Sequence, residues 1–109
     1  MDFGNSRDTG QVILSTIGKI KQPTSEKFGT VESLPFITEE FGELLQQSET
    51  DELPSCSLAE ALEKQDLFIN STLAQAGCSL LWQLFRSGMT TQRGCFLNLG
   101  QFRASPLPV

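Results

Sequence analysis

The strongest pattern in the chain is a set of apolar residues spaced three and four apart: Ile69, Leu73, Ala76, Leu80 and Leu84. That spacing follows the 3.6-residue turn of an α-helix and draws one apolar stripe along it. It predicts a long helix over about 66–87. Leu81 and Phe85 widen the stripe, and Gly88 is a natural stop because glycine tolerates the left-handed backbone of a helix end. Gly77 interrupts the pattern at a cost of about 1 kcal/mol relative to alanine.

A different pattern marks residues 9–17 (TGQVILSTI). Its β-branched run predicts a buried strand, entered from a loop over Gly4 to Asp8. Residues 93–99 (RGCFLNL) predict a final strand with Cys95, Leu97 and Leu99 on one face. Residues 18–29 read as a loop, and 31–37 as a short extended piece that Pro35 confines to an edge. A short helix is predicted over 38–47, with Thr38 as N-cap and Glu39 and Glu40 in the first turn, where negative charge suits the helix dipole. The tail from Ala104 to Val109 carries two prolines and reads as the end of the fold. The fold class that follows is α/β, a small sheet with packed helices in one unit of 109 residues.

Composition narrows the function. The chain is 39% hydrophobic and 19% charged, enough to bury a core, and its net charge is −5 with scattered lysines and arginines. No basic stripe with interleaved aromatics is present, which argues against nucleic acid as a partner. The most apolar stretch, 67–85, is broken by Asn70, Ser71, Gln75 and Gln83, which argues against a membrane span. The opening residues Met1 to Asn5 lack the basic and apolar regions of a secretory leader. Three cysteines without framework spacing point to reduced thiols and a cytoplasmic setting. With no histidine, imidazole-based acid–base chemistry is excluded, and three unpaired cysteines do not make a four-ligand zinc site.

One thiol is placed where chemistry is available to it. Cys56 lies in the stretch LPSCSLAE, immediately before Ser57, which forms a capping-box pattern with Glu60. A helix that starts there presents unpaired N–H groups and the positive end of its dipole to the sulfur, which favours thiolate, the nucleophilic form. The acidic residues Glu49, Asp51 and Glu52 oppose that shift. The plain alternative is that Cys56 is a small residue at a loop–helix junction. Cys78, beside Gly77 on the long helix, and Cys95, on the last strand, read as packing residues.

These stretches resemble a known family. PSCSL (54–58) is similar to the Pro-x-Cys-Thr pattern around the thioester cysteine of ubiquitin-activating enzymes. DFGN (2–5) followed by GQVIL (10–14) resembles the later part of their adenylating domain, where a strand ending in Asp-x-Gly precedes a loop and a Gly-Gln strand. The stretch LFINSTLAQAGCSLLWQLFRSGM (67–89) resembles the helix after the crossover loop in bacterial ThiF-type proteins of PRTRC gene clusters, within the wider ThiF/MoeB group. The resemblance spans nearly the whole chain and rests on the order of the motifs.

The resemblance implies a partial ThiF-like, Rossmann-type domain without its N-terminal nucleotide-binding half, with a crossover loop over about 18–56. It implies an enzyme that adenylates the C-terminus of a ubiquitin-like protein with ATP and magnesium and then moves it to a cysteine. Cys56 takes the nucleophile's place, and Ser57 stands where the family has threonine. No glycine-rich nucleotide loop occurs in the chain, so no cofactor is expected on these residues and no adenylation from them alone. The implied partners are a ubiquitin-like protein, a conjugating enzyme, and a second copy joined through an exposed sheet edge. A non-catalytic module that binds a ubiquitin-like partner or completes a dimer is the alternative.

Overall fold

The computed structural model describes residues 1–49, 63 and 65–109. Four strands form one sheet in chain order: β1 (Asp2–Asn5), β2 (Thr9–Ile13), β3 (Gln92–Asn98) and β4 (Arg103–Pro108). All three pairings are antiparallel. Helix α1 (Ile37–Glu49) and helix α2 (Ile69–Ser87) lie between β2 and β3 in sequence. The α/β class expected from the sequence is therefore present, as an antiparallel four-stranded sheet carrying helices.

Side-chain alternation assigns the two faces. Phe3 pairs with Val12 and Val12 with Cys95, so these three point the same way. The Phe3 ring lies against Gly77, and Asn5 Nδ2 donates to Asn70 Oδ1, so this face carries α2. Gln11 and Phe96 are paired on the other face. There Phe41 of α1 meets Phe96 edge to face, with ring centroids 5.2 Å apart. The helices thus cover opposite faces.

The core follows the helical stripe in part. Val12, Ile13, Ile37, Ile69, Leu73 and Leu80 are buried. Gly77, not Ala76, completes the inward face of α2, because the close approach of β1 needs a residue without a side chain there. Leu81 and Phe85, expected to widen the stripe, instead face outward, Phe85 at 80% exposure. At the far end Gly88 adopts φ 71° and donates its N–H to the Leu84 carbonyl at 2.7 Å, the left-handed stop read from the sequence.

Several boundaries differ from the sequence expectation, each for a local reason. The strand expected over 9–17 ends at Ile13 because its partner runs out: Ile13 faces Gly94, and β3 begins at Gln92. Beyond it the Thr16 N–H donates to the Leu34 carbonyl and Thr16 Oγ1 accepts from the Leu34 N–H at 2.8 Å. The predicted extended piece 31–37 supplies that bridge without forming a strand. Residues 2–5, expected to be partly loop, form β1, so the turn shrinks to Ser6–Asp8.

Helix ends shift in the same way. α1 starts one residue before the expected cap, with Phe36 preceding its first turn. The Phe36 N–H donates to Glu39 Oε2 at 3.0 Å, one half of a capping box, so Thr38 lies inside the helix. α2 starts at Ile69 and not at 66, because Asp66 Oδ1 accepts from the Phe68 N–H at 2.8 Å and closes a turn ahead of the helix. The strand expected over 93–99 runs Gln92–Asn98 and is not the last. The proline-bearing tail adds β4, which prolines permit because it is an edge.

Candidate functional site

Cys56 and Ser57, the site residues singled out in the sequence, lie outside the described residues. The described chain on either side of them is well placed. Upstream, α1 is tied to the sheet by Arg93, the one buried charged side chain among the described residues, at 3% exposure. Its Nη1 donates to the Pro35 carbonyl at 3.0 Å, and its Nη2 forms an ion pair with Glu40. One guanidinium therefore holds both the approach to α1 and its first turn, a fork that a lysine cannot reproduce.

Downstream, residues 65–66 dock on the β1–β2 turn. The Asp66 N–H donates to the Arg7 carbonyl at 2.6 Å, and Gln65 Nε2 to the Ser6 carbonyl at 3.3 Å. Leu99 N–H donates to the Asp8 carbonyl at 2.7 Å, so the β3–β4 turn braces the same corner. Between α1 and the sheet lies a cavity of about 380 Å³, walled by Gln11, Ile37, Phe41, Leu44 and Phe96 and bordered by the β1–β2 turn. Its described lining carries no charged side chain. A second cavity, about 430 Å³, lies between residues 14–34 and the end of α2, and Lys21 is the one charged side chain in its described lining.

No family model, curated protein or solved structure matches this chain.

The other two thiols are now placed. Cys78, read as a packing residue, is exposed on α2. Cys95 is half-buried on the α2 face of the sheet, and burial pushes its thiol above the ordinary value of 9.0. It stays protonated at neutral pH, which suits packing and not nucleophilic attack. Neither is drawn to a carboxylate cluster, and among the described residues no three Cys, Asp or Glu side chains converge as a metal-ligand group.

Among the described residues, the cavity between α1 and the sheet offers no cation to a triphosphate and no cluster of three acidic side chains to magnesium, so this part of the chain does not fit that pair. Arg93 and Glu40 carry no sequence signal as a pair: Glu40 is expected only as a first-turn acid of the helix over 38–47. The available signal was an arginine opening the mostly apolar stretch 93–99. No described helix is long and apolar enough to cross a membrane.

Proposed function

We propose that this chain is the thiol-bearing C-terminal part of a ThiF-type enzyme that activates a ubiquitin-like protein, with Cys56 as the acyl acceptor. The observation that carries the reading is the order of motifs along the chain: DFGN, GQVIL, PSCSL and the helix stretch 67–89. Two features of the fold support it. The stretches DFGN and GQVIL, which carry the resemblance, fall on or next to strands β1 and β2. The long connection from β2 to α2 leaves and returns at anchored points, Arg93 on one side and the β1–β2 turn on the other.

In this reading the acyl group arrives as an adenylate formed on another unit. The Cys56 thiolate attacks its carbonyl carbon, a C–S bond forms, and the C–O bond to phosphate breaks as AMP leaves with the electron pair. The thiol proton is lost beforehand to solvent, a loss that the helix start expected from the Ser57–Glu60 capping-box pattern would favour.

The test is alkylation by iodoacetamide near neutral pH, followed by peptide mapping. Cys56 should react faster than the exposed Cys78, and Cys95 slowest. Cys56 reacting no faster than Cys78 would remove the support for a primed nucleophile. The non-catalytic alternative draws on a separate observation, the apolar outer side of α2 with Trp82 at 63% and Phe85 at 80% exposure, a surface suited to a protein partner.

A further inference from the structure

The two edges of the sheet are unlike. In β4 the backbone groups that face β3 belong to every second residue. Val109 N–H donates to the Thr91 carbonyl, which puts Leu107, Ser105 and Arg103 in the same phase. Pro106 and Pro108 fall in the opposite phase, so the outer edge of β4 lacks two donors and resists pairing.

β1 has no such block. The Ser6 N–H donates to the Thr9 carbonyl, so Gly4 and Asp2 face β2. The N–H and carbonyl groups of Phe3 and Asn5 therefore point away from the sheet, with no strand beyond them among the described residues. Above this edge α2 carries a second apolar stripe, Ala74, Cys78, Leu81 and Phe85, all exposed. No charged residue occurs from Ile69 to Phe85. A cavity of about 290 Å³ opens where the helix overhangs the strand, lined by Phe3, Gly4, Asn5, Asn70, Leu73 and Ala74.

We propose that β1 pairs antiparallel with β1 of a second copy, joining two four-stranded sheets into one of eight about a two-fold axis through Phe3. Register follows from parity and charge. Paired residues must point to the same face, so the axis passes through a residue. Centring on Asp2 would oppose two aspartates; centring on Gly4 would set Phe3 against the partner's Asn5. Centring on Phe3 pairs it with the partner's Phe3, sets Asp2 against the partner's Gly4, and lets outward donors meet outward acceptors. The axis is perpendicular to the sheet, so both α2 helices lie on one face with their uncharged stripes facing across it. The prolines of β4 then close both ends of the larger sheet. The pairing does not rest on the reading of Cys56.

Sedimentation equilibrium of the 109-residue chain tests the proposal, with a short bis-maleimide cross-linker as the structural readout. The chain should show a monomer–dimer equilibrium, and the cross-link should form through Cys78 and vanish in Cys78→Ser. Phe3→Pro removes one outward donor per copy, and Phe85→Glu puts a charge on the facing stripe. Each should raise the dimer dissociation constant about tenfold or more. Phe85 is largely exposed, so Phe85→Glu should keep the wild-type circular dichroism and remain informative if Phe3→Pro unfolds. Cys56→Ser should leave the equilibrium unchanged. A chain that stays monomeric up to its solubility limit overturns the proposal, as does a dimer equally tight in Phe85→Glu, or one without the Cys78 cross-link.

Discussion

Arg93 and Glu40 form an ion pair across 53 positions of sequence, joining the start of β3 to the first turn of α1. Arg93 is buried while Glu40 remains partly exposed, so the pair sits at the rim of the interface between helix and sheet. The Pro35 carbonyl takes a second donor of the same guanidinium. Removing the arginine leaves that carbonyl and the start of α1 without their tie. We expect Arg93→Ala to lower stability by about 3 kcal/mol and Arg93→Lys to recover only part of it. Glu40→Gln, at a half-solvated position, should cost about 1 kcal/mol. A double-mutant cycle in urea that gave no coupling between positions 93 and 40 would contradict the assignment.

Gly94 lies where β3 shifts register against β4, and its backbone passes close to β2. A Cβ there would stand 2.2 Å from the Val12 carbonyl oxygen and 3.0 Å from the Ile13 Cα. Both are backbone atoms of the central ladder and cannot swing aside. Gly94→Ala should therefore destabilise the protein by about 3 kcal/mol, read as a lower urea midpoint with an unchanged slope.

The orientation of α2 makes a sharper contrast between two leucines of one helix. Leu73 is 3% exposed and sits on the sheet. Leu81 is at the boundary of exposure on the outer side. Leu73→Ala should cost about 3 kcal/mol and Leu81→Ala less than about 1 kcal/mol. Equal losses would mean that the helix is rotated from the orientation described, and the measurement is best made at low protein concentration.

The Cys95 thiol makes stability depend on pH in the alkaline range. Burial raises its folded pKa above 9.0, so the native state holds the proton more tightly than the unfolded chain. That contribution is complete below the unfolded value and is lost as pH rises through the folded one. The urea midpoint should fall from about pH 9 upward, and the fall should be reduced in Cys95→Ala but not in Cys78→Ala.

Periodicity was sufficient for α2, because a helix that buries Ile69, Leu73 and Leu80 must repeat apolar residues at its own turn, and for its stop at Gly88. It was sufficient too for the existence of β2 and β3 and for the α/β class. It could not set where β2 ends, since Ile17 is as β-branched as Ile13 but has no partner strand beside it among the described residues and is 91% exposed. Nor could it reveal β4, where prolines argue against a strand until the position is known to be an edge. The pairing of buried Arg93 with Glu40 was likewise invisible: a charge reads as solvent-facing unless distant chain is folded over it. Local spacing encodes which residues face together, whereas pairing partners and buried charges depend on contacts between segments far apart in sequence, which only the packed chain brings within reach.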